Sequence, residues 1–89
     1  MYSEFMIIAF SSTHQAIHFE KLLLGKFAIE LIPTPREVSA SCGLSLKFEM
    51  EDLDAILNEL KEEPKLGLQL IQIIVGTSDQ KMIALNWEK

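Results

Sequence analysis

Apolar positions change their period along the chain, and each change predicts an element. Phe5-Met6-Ile7-Ile8-Ala9-Phe10 is a continuous apolar run. Its short length and two isoleucines predict a strand covered on both faces rather than a piece of buried helix. Ser11-Ser12-Thr13 follows, and Ser12 and Gln15 stand at the capping-box spacing that opens a helix. Ala16, Phe19 and Leu23 then recur at helical intervals, with Ile17 and Leu24 widening the apolar face, until Gly25 supplies the left-handed residue that ends the helix. Phe27, Ile29 and Leu31 alternate with Ala28 and Glu30, predicting a second strand to about Ile32. Pro33 and Pro35 close it, because neither can donate to a sheet ladder. Leu44, Leu46 and Phe48 alternate with Ser45, Lys47 and Glu49, a third strand with one wet face.

Further on, Leu53, Ile56, Leu57 and Leu60 make the i, i+3, i+4, i+7 stripe of an amphipathic helix. Glu51, Asp52 and Asp54 crowd its first turns, where negative charge complements the helix dipole, and Pro64 ends it. A fourth strand is expected from about Leu66 to Val75, with an apolar pattern that slips between Leu70 and Ile71 in the manner of a bulge. Residues 76–80 read as a turn, and Met82 to Trp87 as a fifth strand or an exchanged arm. The order βαββαβ with a tail predicts an α+β fold, a ferredoxin-like sandwich. Its antiparallel sheet runs in the order 4-1-3-2 with both helices on one face. The domain would cover residues 1–76. Residues 77–89 would form a C-terminal strand beside strand 4, or an arm that pairs with another chain in a homo-oligomer.

Composition narrows the function classes. Eighty-nine residues with 48% hydrophobic content are enough for one packed core and leave no room for a second. A formal net charge of −5, from 13 acidic against 8 basic residues, argues against nucleic acid or an anionic membrane as partner. No apolar run approaches the roughly 20 residues of a membrane span. Glu4 stands where a signal peptide would carry Lys or Arg, so the expected location is cytoplasmic. A single cysteine excludes an internal disulfide framework and any multi-cysteine metal motif, and a lone thiol suits a reducing compartment.

Topology then gathers the candidate chemistry. A right-handed crossover makes strands 1 and 2 parallel, so the end of strand 1, the start of helix 1 and the loop between strands 2 and 3 share one end of the sheet. That brings Ser11, Ser12, Thr13 and His14 toward the loop that carries Arg36 and Cys42. Backbone N–H groups at a helix start attract anions and favour a thiolate over a thiol, and Arg36 would act in the same sense. Two readings of Cys42 stay open here: a reactive thiol on a positioned loop, or a small residue packed at the entrance to strand 3. Gly43 beside it leaves room for a partner to approach. His14 and His18 share a helix face at a metal-ligand spacing, but no third ligand is close in sequence, so no metal is expected. His14 instead stands as a base or hydrogen-bond partner for Cys42. The acidic stretch from Glu49 to Asp54 reads as a solvated helix start. With no glycine-rich phosphate loop, GxSxG or CxxC, the chain offers no cofactor fingerprint, and an enzyme working alone is the least expected function class.

The run Ile32-Pro33-Thr34-Pro35-Arg36-Glu37-Val38-Ser39-Ala40-Ser41-Cys42-Gly43-Leu44-Ser45-Leu46 closely resembles the hallmark of the selenium/sulfur carrier protein-like family, small bacterial and archaeal domains. Phe10-Ser11-Ser12-Thr13-His14-Gln15-Ala16, Glu20-Lys21-Leu22-Leu23 and Phe48-Glu49 followed by Glu51-Asp52-Leu53 are similar to other stretches of that family, so the resemblance covers about residues 5 to 63. It implies a carrier that holds sulfur or selenium covalently on Cys42 as a persulfide-type adduct and hands it from a donor protein to an acceptor protein. Pro33, Pro35, Arg36 and Gly43 would shape the loop. Met50 departs from the proline that often begins the second helix, and His18 and Leu24 replace more polar positions. Apart from the resemblance, the residues leave open an anion- or small-ligand-binding regulatory module, in which Ser12, Thr13 and Arg36 hold the ligand and Cys42 is structural. They also leave open an assembly protein built through the Met82–Trp87 arm.

Overall fold

A computed structural model describes residues 3–38, 43–65 and 67–87. In chain order the elements are β1 (Ser3–Ala9), α1 (Thr13–Leu23), β2 (Ile29–Pro33), β3 (Leu44–Glu49), a 3₁₀ turn (Met50–Asp52), α2 (Leu53–Glu59), β4 (Gln69–Val75) and β5 (Gln80–Leu85). The fold is α+β: a five-stranded sheet in the order β2-β3-β1-β4-β5, antiparallel at every pairing, with two helices.

The continuous apolar run becomes the central strand. β1 is hydrogen-bonded to β3 on one side and β4 on the other, and both of its faces are covered. On one face Met6 and Ile8 join Leu46, Phe48 and Leu70 from the sheet, Ala16, Phe19 and Leu23 from α1, and Ile56 and Leu60 around α2. Both helices therefore lie on that face. Phe10 and Phe19 meet edge to face there, with centroids 5.5 Å apart. On the other face Ile7, Ala9, Ile71 and Ile73 form a second, smaller core, bordered by Phe5, Ile32, Val38, Val75 and Met82.

Several expectations need correction. The sheet has five strands: β5 adds to the 4-1-3-2 order beside β4 of its own chain, the first of the two expected placements, and does not leave as an exchanged arm. Without β5, the doubly apolar β4 would be a sheet edge. The bulge at Leu70–Ile71 is absent: β4 pairs residue by residue with β1 from Ala9↔Gln69 to Ser3↔Val75. What looked like a register slip is a strand apolar on both faces, with Leu70 in the helix-side core and Ile71 in the other. β2 starts at Ile29 rather than Phe27, because the amides of Lys26 and Phe27 both donate to Leu23 O as the chain turns out of α1. α2 stops at Glu59, well before Pro64, where Lys61 and Glu63 shift their bonds to the tighter partners Asn58 O and Leu60 O. Leu66, where the fourth strand is expected to begin, lies outside the described residues. β5 spans Gln80–Leu85, two residues earlier than expected, while Trp87 lies beyond it and donates its indole N–H to Leu68 O at 3.4 Å. Among the described residues no helix is long and apolar enough to cross a membrane.

Two glycines carry turns that other residues resist. Gly25, with φ +92°, follows the last turn of α1, and nothing lies within 4 Å of where its side-chain carbon would sit. Gly67, with φ +83°, leads into β4, and a side-chain carbon there would stand 2.5 Å from Ser11 Oγ. Gly67→Ala should therefore be the more damaging change. Urea denaturation should show Gly25→Ala losing about 1–2 kcal/mol from backbone strain alone. Gly67→Ala should lose about 1–3 kcal/mol more through overpacking, and equal losses would contradict the close approach at Ser11.

Candidate functional site

The site is built from the neck of the loop between β2 and β3. Ile32 pairs with Ser45 and Pro33 with Leu44, and the ladder continues one step further, where Thr34 N–H donates to Gly43 O at 2.9 Å. Proline is tolerated at the end of β2 because this is the edge strand of the sheet. Beside the backbone bond, the hydroxyls of Thr34 and Ser45 share a hydrogen bond of 2.8 Å. Ser45 is fully buried, and it stands between Ile32 on one neighbouring strand and Ala9 on the other. A hydroxyl removed from water needs a partner, and Thr34 supplies one. Two bonds thus converge on Thr34 and close the loop at its base.

Past the neck the chain makes a turn, with Val38 N–H donating to Pro35 O at 3.0 Å and Arg36 and Glu37 exposed at its corners. Val38 packs on the second core, on the helix-free face of the sheet. Cys42, with Ser39, Ala40 and Ser41, lies outside the described residues. Its successor Gly43 is exposed, with open space where a side chain would stand.

The register Ile32↔Ser45↔Ala9 puts the start of α1 at this same end of the sheet. Ser12 caps α1 and accepts from Gln15 N–H at 3.2 Å. Gln15 Oε1 reaches back to Ser11, taking its N–H at 3.1 Å and its hydroxyl at 2.7 Å. The capping box therefore closes one residue before the cap, and the Ser12 oxygen is engaged by the helix it opens. Thr13 and His14 are the first two residues of α1 and are exposed.

The described candidates at the start of α1 and on the β2–β3 loop thus share one end of the sheet. Among the described residues neither His14 nor Arg36 enters an ion pair. Nor do the described residues hold a group of three or more His, Cys, Asp or Glu suited to a metal. His18 uses its position differently: its Nε2 lies 3.0 Å from Glu63 Oε1 and links α1 to the segment after α2. The sequence reading missed Thr34, Val38 and Ser45. Alternation assigned Ser45 to a wet face, yet it is buried, and Lys47 on that face lays its ammonium 4.7 Å from the Phe5 ring centroid. The available signal was Thr34, a hydroxyl residue between two prolines at the strand end.

The neck makes a measurable claim. Ser45→Ala and Thr34→Val should each cost about 1 kcal/mol through the lost hydrogen bond. In urea denaturation the double variant should lose less than the sum, with a coupling of about 0.5 kcal/mol or more. Strict additivity would contradict the bond.

The family model described as "Putative Se/S carrier protein-like" matches residues 5–74, from β1 through β4, both helices and the whole β2–β3 loop included. An uncharacterized protein of Methanocaldococcus jannaschii is 28% identical over 67 residues, which are 75% of this chain and 34% of that protein. The chain spans about a third of that relative's length. No solved structure matches. With most of its length, the closed loop neck among it, inside the match, the chain belongs to the Se/S carrier protein-like family.

Proposed function

We propose that the chain carries one sulfur or selenium atom on Cys42, as a persulfide or its selenium analogue, between a donor protein and an acceptor protein. The observation that carries this reading is the closed neck. The Thr34–Gly43 and Thr34–Ser45 bonds hold the two ends of the Cys42 loop at the sheet end where α1 begins. A loop fixed at its base orders a docking segment before a partner arrives, which lowers the entropy cost of binding. Pro33 and Pro35 stiffen one arm of the loop, and Gly43 leaves the other arm open to approach.

The chemistry needs no oxidant. The Cys42 thiolate attacks the outer sulfur of a donor persulfide, a new S–S bond forms, the donor's S–S bond breaks, and the donor thiolate leaves. Handing the atom on repeats the exchange in the other direction, with an acceptor thiolate attacking and Cys42 leaving. Arg36, exposed on the turn, would favour the anionic adduct, and Ser12, Thr13 and His14 would line the approach from α1. A reducing cytoplasm suits such a thiol.

Incubating the reduced protein with a small-molecule persulfide, then recording the intact mass, tests this reading. Wild type should become one sulfur atom heavier and return to its starting mass with dithiothreitol, while Cys42→Ser should not change. A wild type that gains nothing, or a Cys42→Ser variant that gains as much, contradicts it.

A further inference from the structure

α1 turns Ala16, Phe19 and Leu23 into the core, and the flank beside that face carries an exposed stripe. Ile17 and Leu24 stand on it two turns apart, 43% and 61% exposed, and they are two of the three exposed large apolar side chains among the described residues. Glu20 and Lys21 lie between them. Neighbouring basic groups are occupied: His18 meets Glu63, and Lys26 meets Glu59 at 2.9 Å. Among the described residues, Glu20 and Lys21 enter no ion pair.

This stripe is complementary to itself when read in reverse. A twofold axis midway between residues 20 and 21 sets Ile17 against Leu24 of a second copy, and Leu24 against the second copy's Ile17. The same rotation places Glu20 beside Lys21 of the second copy, again twice. Isologous interfaces require such self-complementarity, since one patch must serve both sides. We propose that a second copy of this chain occupies the stripe, in an antiparallel α1–α1 dimer with two apolar contacts flanking two reciprocal charge pairs.

The contact is short, about two helical turns, so the dimer belongs with weak and transient interfaces, which fall below about 1,200 Å² of total buried surface. Its geometry suits a carrier without depending on that role. α1 begins at the end of the sheet where Thr34 and Gly43 close the β2–β3 loop, so antiparallel pairing sends the two loop necks to opposite ends of the dimer.

Sedimentation equilibrium on the reduced protein, from about 10 μM to 1 mM to span weak affinities, tests the proposal with charge-reversed variants. Wild type should self-associate. Glu20→Lys and Lys21→Glu each set four like charges around the axis and should weaken self-association about tenfold or more. An equimolar mixture of the two variants regains both opposite-charge pairs and should associate as wild type does, with circular dichroism showing each variant folded. Single variants that associate like wild type, a mixture that fails to recover, or a wild type that stays monomeric at the highest concentration would each overturn the proposal. Sulfur loading of the same samples, read by intact mass, reports the carrier reading separately. Its failure would leave the dimer standing, and the dimer's failure would leave sulfur loading standing.

Discussion

Burial of β1 on both faces is the constraint on which the rest of this fold depends. Met6 and Ile8 anchor the helices on one side, while Ile7 and Ala9 hold a second core on the other. All four are fully buried. Burying a large aliphatic side chain is worth about 1.5–3 kcal/mol, so this one strand contributes to both cores at once. A strand covered in this way cannot slip, because a one-residue shift would exchange the two sets of side chains. β3 and β4 take their registers from it, and β2 and β5 take theirs from β3 and β4.

The candidate site inherits its order from that register. Ala9 fixes Ser45 beside it, Ser45 holds Thr34 through their shared hydrogen bond, and Thr34 closes the loop on Gly43. Val38 adds a second anchor on the smaller core. The loop that bears Cys42 is therefore tied, through described residues on both sides, to the most deeply buried strand of the protein. Beside its core face, α1 shows Ile17 and Leu24 to solvent, where a second copy would bury them.

How much of this was legible in the sequence differs from place to place, for physical reasons. Strand 1, the cap at Ser12 and the turn at Gly25 were readable because local chemistry decides them: an apolar run, a side-chain acceptor and a left-handed residue. The end of α2 and the straight course of β4 were not. The first depends on turn bonds after Leu60, and the second on a core beneath Ile71 and Ile73 that only the assembled sheet creates. The site was legible as a location, since topology alone gathers the α1 start and the β2–β3 loop. The fastening at Thr34 and Ser45 was not, because a serine in an alternating strand reads as solvent-facing, whereas this one is buried between Ala9 and Ile32 and bonded to Thr34.

The central claim is that this fastened loop exists to present Cys42 as the carrier of a chalcogen atom. Fragment mass spectrometry of the protein after exposure to a persulfide donor addresses it most directly. The account predicts the added sulfur on the peptide that contains Cys42 and on no other peptide. An added sulfur found elsewhere in the chain, or a Cys42 peptide that stays unmodified while the donor is consumed, would contradict it.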